Sequence, residues 1–257
     1  MIPKRAEDTD NRPSRKRPNG HPVMHQNWGK LLFMHWQIEP DLLRPLIPPV
    51  LKLDTFDGSA WIGITPFTMW DIRAFPPFVP PFPGLSSMHE LNVRTYVEFQ
   101  GTPGVWFFSL DVNSYLAALA ARTLFYLPYH AAEIALTEAQ NQIDYYLQRR
   151  DESRAEFHAS WKVGEKLPCS LPGTREYFLT ERYCLYSEHN GRLYRARIHH
   201  KQWPLQQAQL IQFKSNILDA TNVLQPAGEP LVLYSEEVSV DIWLLEMVSR
   251  NREKPAN

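Results

Sequence analysis

Apolar and polar side chains alternate along residues 89–99, and this alternation is the clearest pattern in the chain. The odd-numbered positions form a face that is expected in a core: Leu91, Val93, Thr95, Val97 and Phe99. The even-numbered positions form a polar face: Glu90, Asn92, Arg94, Tyr96 and Glu98. A period of two residues predicts a β-strand with one face in the core.

Two charged residues of the polar face need partners from elsewhere in the protein. Glu90 and Arg94 lie four positions apart, which is roughly 13 Å along a strand and too far for direct pairing. Each must therefore meet another protein group, water or a ligand. The simpler alternative, that this face is the solvated side of an antiparallel sheet, stays open at this point.

A second strand and one amphipathic helix follow. Residues 104–112, GVWFFSLDV, are rich in β-branched and aromatic side chains, which favours a strand. Ser114 is a suitable N-cap, and apolar residues recur after it at helical spacing. Pro128 disfavours helical geometry in the residue before it. The pattern predicts a helix over residues 114–126.

Short strands separated by turns are expected in most of the remaining chain. Asp57-Gly58 and Asn190-Gly191 favour tight hairpins, the first joining residues 51–55 to residues 60–71. Short helices are expected near residues 40–44 and 215–222. Many short strands with few helices favour one large sheet-based domain.

The predicted domain covers residues 23–248. Residues 1–22 are basic and poor in large apolar side chains, and residues 249–257 are also polar, so both are expected to be disordered tails. Residues 75–84, FPPFVPPFPG, are expected to form a rigid loop packed over the mouth of the fold. A polyproline ligand for a partner domain is the alternative for this run.

Composition narrows the possible partners. Of the 257 residues, 44% are apolar, and the net charge of −1 gives no overall attraction to nucleic acid or to an anionic membrane. The chain has no apolar run of about 18 residues and no apolar segment typical of a secretory signal. Two cysteines, Cys169 and Cys184, without a C-x-x-C motif favour a reducing compartment. We expect a cytoplasmic protein that binds neither nucleic acid nor membrane.

Several common chemistries lack their motifs. The chain contains neither an H-E-x-x-H motif nor a pair of C-x-x-C motifs, which would indicate a metal site. His199 and His200 are adjacent and would face opposite sides of a strand. Neither a Walker loop nor G-x-G-x-x-G is present, and G-x-S-x-G is absent too. A metal, a nucleotide cofactor and a serine nucleophile are therefore not expected.

A family resemblance rests on four segments taken together: HELNVRTYV, GVWFFSLDVNS, the alanine-rich helix with Ala121 and Arg122, and LPYH. This combination resembles the YqjF-like family of bacterial proteins, over about residues 28–244. That family is similar in turn to the acetoacetate decarboxylase superfamily. The resemblance implies an α+β fold, a closed, antiparallel, cone-shaped β-barrel with a few short helices and a polar pocket inside.

The resemblance also separates the fold from the reaction. In acetoacetate decarboxylases a proline after the corresponding helix is followed by two lysines, and the first forms a Schiff base because its charged neighbour lowers its pKa. The matching positions after Pro128 are Tyr129 and His130, and neither side chain can form an imine. Glu90 matches the acidic residue of the decarboxylase pocket wall. Schiff-base decarboxylation is therefore not expected.

The candidate site consists of Glu90, Arg94, Tyr129 and His130, with Arg122 as a weaker member. Arginine suits a carboxylate, and His130, Tyr129 and Glu90 could exchange protons or hydrogen-bond an oxyanion. Such a set would serve a small oxo- or hydroxy-acid. For each residue an ordinary structural role, such as a surface charge or a hydrogen-bonded helix-end residue, remains the alternative.

Two functions of different classes follow from this set. An enzyme without a Schiff base would do acid–base chemistry on the bound acid, and His130→Ala or Glu90→Gln would abolish turnover. A non-catalytic barrel would bind a small ligand without converting it. A purely structural role would leave the interior filled with side chains, and a homodimer is the default expectation for assembly.

Overall fold

The computed structural model describes residues 15–74 and 87–250, with the side chain of residue 250 left aside. The predicted loop at residues 75–84 lies outside this part of the chain, as do residues 1–14 and 251–257. Within the described residues, no helix is long and apolar enough to cross a membrane.

The fold consists mainly of strands. Thirteen strands belong to one sheet: β1 Met24–Ile38, β2 Lys52–Leu53, β3 Ala60–Ala74, β4 Ser87–Phe99, β5 Thr102–Val112, β6 Tyr129–Ala139, β7 Gln142–Arg149, β8 Glu156–Lys166, β9 Cys184–His189, β10 Arg192–His200, β11 Leu205–Ser215, β12 Leu231–Ile242 and β13 Glu246–Arg250. Three α-helices connect them: α1 Pro40–Leu43, α2 Tyr115–Phe125 and α3 Arg175–Thr180. Single 3-10 turns lie at Arg44–Leu46 and Asp219–Thr221.

The strand pairings return on themselves in two rings. A shorter ring of seven strands runs β5–β4–β3–β1–β12–β10–β9 and back to β5. A longer ring leaves β5 through β6, β7, β8 and β11, and returns through β12, β1, β3 and β4. Five strands are therefore common to both rings: β1, β3, β4, β5 and β12.

The prediction of a mostly sheet fold with a few short helices is confirmed, but the sheet is not purely antiparallel. β5 pairs in parallel with both β6 and β9. Parallel neighbours need a crossover connection, and helix α2 supplies it between β5 and β6.

Helix α2 begins and ends close to the predicted positions. The hydroxyl of Ser114 accepts a hydrogen bond from the backbone N–H of Ala117, as expected of an N-cap. Tyr126 ends the helix in the left-handed conformation, with φ of 53°, two residues before Pro128. Only Ala118 of the helix is fully buried, so α2 lies on the sheet with a shallow contact.

The two predicted hairpins have different outcomes. β9 and β10 pair across Asn190-Gly191, and both residues have positive φ, so this prediction is confirmed. The hairpin at Asp57-Gly58 is wrong beyond a single bridge between Phe56 and Ser59. β2 pairs with β4 instead, because β3 is already occupied on both edges by β1 and β4.

The described part of the predicted N-terminal tail lies against the sheet. Arg17 forms an ion pair with Asp241 at 2.5 Å, and its guanidinium carbon lies 5.1 Å from the ring centroid of Trp243. At the other end, β13 includes residues 249 and 250, which were assigned to the C-terminal tail.

A buried ion pair fixes the longer ring. Arg149 on β7 donates from Nε to Asp111 Oδ1 at 2.6 Å and from Nη2 to Oδ2 at 3.0 Å. The two side chains are 1% and 0% exposed. Burial raises the pKa of Asp111, and the hydrogen bonds and charge of Arg149 oppose that rise. Because β6 lies between β5 and β7, the pair ties together strands that are not themselves neighbours.

We expect Asp111→Ala to lower the free energy of unfolding in urea by about 3–5 kcal/mol, because it leaves a buried guanidinium without its counter-charge. Replacing both partners, as in Asp111→Leu with Arg149→Met, should cost less than the single change. Glu138→Ala, which breaks a solvent-exposed pair with Lys30, should change stability by at most about 1 kcal/mol. If Asp111→Ala lowered the unfolding free energy by less than about 1 kcal/mol, the ion pair would not contribute to the stability of the longer ring.

Candidate functional site

The shorter ring of strands encloses a cavity of about 260 Å³. Each of its seven strands contributes at least one lining residue, and Tyr129 is added from β6. Helix α2 lines a further side mainly with small residues, Ala117, Ala120 and Ala121. The cavity is therefore bounded by regular secondary structure on most sides.

The polar face of β4 points into this cavity. Glu90, Asn92 and Arg94 all line it, in that order along the strand. The apolar face of the same strand, including Leu91 and Val93, packs in the largest core cluster, as the alternation predicted. β4 thus has two buried faces, one against the core and one against the cavity.

The neighbouring strands position this polar row. On β3, Phe67 lies opposite Glu90, Thr65 opposite Asn92 and Gly63 opposite Arg94. A Cβ atom at position 63 would lie 3.4 Å from Arg94 Cγ and 3.1 Å from a ring carbon of His35. The glycine therefore leaves the room that the arginine and the imidazole occupy.

Glu90 is a buried acid whose proton is poised near neutral pH. Its side chain is 3% exposed, and the hydroxyl of Tyr129 donates to Oε2 at 2.8 Å. Burial raises the pKa of Glu90 to about 7, the hydrogen bonds from Tyr129 and Asn92 oppose the rise, and the nearby charge of Asp111 adds to it. A group with this pKa can both accept and donate a proton at physiological pH.

Arg94 has no carboxylate partner within residues 15–74 and 87–250. Its guanidinium carbon lies 5.4 Å from the ring centroid of Phe33 and 5.9 Å from that of Tyr96, and its Nε is buried without a hydrogen bond. This cation lines the cavity and packs against aromatic rings rather than against a carboxylate of the described residues.

Two more polar atoms of the cavity lack partners in the described structure. They are Thr65 Oγ1 and Asn92 Oδ1, and their residues lie opposite each other on β3 and β4. Leaving a buried polar group unpaired costs about 1–3 kcal/mol. Arg94 Nε is a third such atom, from a residue on the same face of β4 as Asn92.

The structure brings together three of the five residues predicted from the sequence. Glu90, Arg94 and Tyr129 line the cavity, whereas His130 does not, which corrects the expected grouping. Successive residues of a strand point to opposite sides, so His130 on β6 leaves the cavity and its Nδ1 lies 2.9 Å from Asp151 Oδ2.

Arg122 is also absent from the lining of this cavity. It borders a second, more open cavity of about 470 Å³ together with Tyr126 and His189, whose rings stack at 4.2 Å. Positions 120 and 121 face the ligand cavity, and the next helical position turns away from it. Arg122 therefore lies outside the cavity that Glu90, Arg94 and Tyr129 line.

Sequence reasoning missed two basic residues of the cavity, Arg182 and His200. Arg182 pairs with Asp54 at 2.6 Å and packs on the ring of Phe178. Burial lowers the pKa of His200 to about 4, so this imidazole is neutral at physiological pH. His200 lies two residues after Ile198, on the same face of β10. This alternation is the only feature of the local sequence that could have indicated that His200 lines the cavity.

Possible metal ligands and cysteines were also located in the structure. Among the described residues, no three His, Cys, Asp or Glu side chains lie close enough together to hold a metal ion. Cys169 is exposed, Cys184 is buried, and both are free thiols.

The chain matches a known family. The family model DUF2071, described as "Uncharacterized conserved protein (COG2071)", matches residues 25–239. The chain is 40% identical over 233 residues to "Uncharacterized protein YqjF" of Bacillus subtilis (strain 168), and the alignment covers 89% of this chain and 93% of that protein. The resemblance drawn from the sequence is confirmed.

Solved structures with a similar fold are distant in sequence. The enduracididine biosynthesis enzyme MppR complexed with pyruvate has a TM-score of 0.66 and 16% identity, over 91% of this chain and 93% of that chain. Acetoacetate decarboxylase from Legionella pneumophila has a TM-score of 0.61 and 14% identity, over 94% of each chain. At these identities the likeness establishes the fold alone.

The raised pKa of Glu90 has a measurable effect on stability. The folded protein holds this proton up to about pH 7, whereas the unfolded chain releases it near its ordinary pKa of 4.5. The stabilising contribution is therefore complete below pH 4.5 and is lost as the pH rises through 7. The parent protein should therefore lose about 2–3 kcal/mol of unfolding free energy, relative to Glu90→Gln, when the pH is raised from 5 to 8.

Urea unfolding of both proteins at the two pH values measures this difference. The matched control is Glu138→Gln on the exposed part of β6, which should give a curve parallel to that of the parent protein. A parallel curve for Glu90→Gln would mean that the Glu90 carboxyl titrates as it does in water.

Proposed function

Since this chain belongs to the DUF2071 family, as the match over residues 25–239 shows, we propose a function from the cavity that its own residues build. The protein binds a small oxo- or hydroxy-acid inside the shorter ring of strands and acts on it by acid–base chemistry. The observation that carries this proposal is the polar row of β4, in which an unpaired arginine and a carboxyl with a pKa of about 7 line one cavity.

The ligand's carboxylate is assigned to Arg94. A guanidinium presents several N–H groups in one plane and suits a carboxylate or two adjacent oxygens of a 2-oxo acid. The hydroxyl of Thr65 can donate a further hydrogen bond, and Asn92 Oδ1 can accept one from a ligand hydroxyl. A hydroxy acid would then satisfy all three unpaired atoms, whereas a 2-oxo acid would satisfy those of Arg94 and Thr65.

Glu90 is assigned the proton transfer. As a carboxylate it removes a proton from the carbon next to the ketone. The electron pair of that C–H bond forms a C=C bond to the carbonyl carbon, and the π pair of the C=O bond moves to the oxygen to give an enolate. Arg94 stabilises the charge on that oxygen, and Tyr129 holds Glu90 in place through its hydrogen bond. Return of the proton to either face of the enolate regenerates the carboxylate.

An imine is not part of this proposal. None of the cavity-lining residues in the described part of the chain is a lysine, and Tyr129 and His130 follow Pro128. The pyruvate held by the structurally similar MppR supports a small carbonyl acid as the class of ligand. It does not transfer the reaction, because the two chains share 16% identity.

We also propose a barrel architecture, domain boundaries and a cellular location for this protein. The shorter and longer rings of strands are interpreted as a closed, cone-shaped barrel arrangement within one domain of residues 23–248. The two free thiols support a cytoplasmic location, because disulfides are rare in reducing compartments.

A non-catalytic binding protein is the second candidate. It is favoured by the largely apolar lining, in which Glu90 is the sole carboxylate among the described residues. A binder would hold the acid through Arg94 without moving a proton, so the two candidates differ in a single measurable event.

Deuterium exchange separates the two candidates. We expect the protein to accelerate exchange of the C3 protons of 2-oxobutyrate in D₂O, followed by proton NMR, and Glu90→Gln to abolish the acceleration. Arg94→Gln should weaken binding by about 10- to 100-fold, because it removes a charge-assisted hydrogen-bonded pair.

Three control variants sharpen the result. Glu138→Gln and Arg150→Gln change the same residue types at exposed positions and should leave exchange and binding unchanged. His130→Ala should also keep exchange, because this side chain lies outside the cavity. Binding without accelerated exchange would establish the binding protein, and exchange that survives in Glu90→Gln would remove Glu90 from its role.

A further inference from the structure

The unpaired polar atoms of the ligand cavity lie at one end, and four apolar side chains, three of them methionines, lie at the other, with Gln26 and His200 close to them. Arg94, Asn92 and Thr65 lie toward one end of the β4 row. At the opposite end, Met88 of β4 lies beside Met69 of β3, and Met24 of β1 lies beside Ile242 of β12. These four apolar residues all line the cavity.

The two ends are far enough apart for a ligand longer than pyruvate. Arg94 lies six positions after Met88, which is roughly 20 Å between their backbones at about 3.3 Å per residue. The side chains of Glu90 and Asn92 lie between them on the same face. A bound acid with its carboxylate at Arg94 therefore extends past Glu90 toward the methionines.

The volume sets the size of this extension. A cavity of about 150 Å³ accommodates the six carbons of benzene, so the 260 Å³ of this cavity corresponds to about ten non-hydrogen atoms. A carboxylate and an adjacent ketone use five of them. About five carbon atoms remain for an apolar chain, which is more than pyruvate supplies.

Helix α2 maintains that space by using small residues. Ala117, Ala120 and Ala121 face the cavity, where longer apolar side chains would fill it. On the other side of the helix, Leu116 and Leu119 are 65% and 46% exposed and line no part of this cavity. The helix thus lines the cavity with three alanines in its first two turns and with Leu124 and Phe125 at its end, and it turns Leu116 and Leu119 away from the cavity.

We infer that the substrate class of this site is a medium-chain 2-oxo monocarboxylic acid of about seven carbons, with its carboxylate at Arg94 and its alkyl chain at the methionine-lined end. This inference rests on the proposed function and adds the length and polarity of the ligand. Unbranched, flexible methionine side chains suit such a chain, because they adapt to its shape.

Calorimetric titration with a homologous series tests the inference on the unmodified protein. The probes are pyruvate, 2-oxobutyrate, 2-oxohexanoate, 2-oxoheptanoate and 2-oxodecanoate. We expect the Kd to fall about fourfold for each added methylene, the equivalent of 0.8 kcal/mol, up to 2-oxoheptanoate. It should then rise for 2-oxodecanoate, which exceeds the available space.

Two variants of α2 locate the effect in the cavity. Ala121→Leu fills space beside the ligand and should raise the Kd for 2-oxoheptanoate at least tenfold while leaving that for pyruvate within about twofold, which is less than the effect of one methylene. Thr123→Leu adds a similar side chain at an exposed position outside the cavity and should leave the whole series unchanged.

The outcomes distinguish this inference from the function on which it rests. Equal affinity for all lengths, or a maximum at pyruvate, with binding still lost in Arg94→Gln, overturns the chain-length inference and leaves the proposed function standing. A chain-length dependence that is unchanged in Ala121→Leu places the alkyl chain elsewhere and also overturns the inference. If no 2-oxo acid binds at millimolar concentration, the proposed function itself fails.

Discussion

The burial of both faces of β4 is the constraint on which the rest of the structure depends. A strand with charged residues on one face is ordinarily a surface strand, with water as the partner of those charges. Here β3 and β5 pair along both edges, the core covers the apolar face, and the shorter ring of strands encloses the polar one. The polar groups are thus removed from bulk water without being given a full set of protein partners.

Two arginines of this fold differ in their partners: Arg149 is fully buried beside a carboxylate, whereas Arg94 is partly buried among aromatic rings. Arg149 meets Asp111 through two hydrogen bonds, so its charge is balanced and the pair serves to join β5 and β7. Arg94 lies against aromatic rings and faces a cavity, with no carboxylate beside it in the described part of the chain. Burial without compensation is costly, and it is tolerated most readily where a ligand supplies the missing partner.

Local patterns were sufficient to predict the parts of the fold that depend on neighbouring residues in sequence. The alternation of β4 predicted both of its faces, and Ser114 with Pro128 predicted the extent of α2. The pairing of β2 with β4 instead of β3, and the parallel pairing of β5 with β6 and β9, depend on segments that are distant in sequence. The periodicity of a single segment does not contain that information. The same limit explains why Arg182 and His200 were missed.

Side-chain direction along one strand predicted two residues of the cavity lining, and the family resemblance predicted a third, Tyr129. Glu90 and Arg94 share a face of β4, and both line the cavity. Tyr129 and His130 were grouped because they occupy the positions that match the two lysines of acetoacetate decarboxylases. Successive residues of a strand point to opposite sides, and only Tyr129 lines the cavity. The family resemblance located the fold and the pocket wall, but the proton poised on Glu90 follows from burial, which only coordinates reveal.

The most direct test of this account is a crystal structure of the protein grown with 2-oxoheptanoate. We expect density for the acid inside the shorter ring of strands, with the carboxylate at hydrogen-bonding distance from Arg94 and the alkyl chain beside Met88. Density only outside the ring, or a cavity filled by the protein's own side chains, would contradict it.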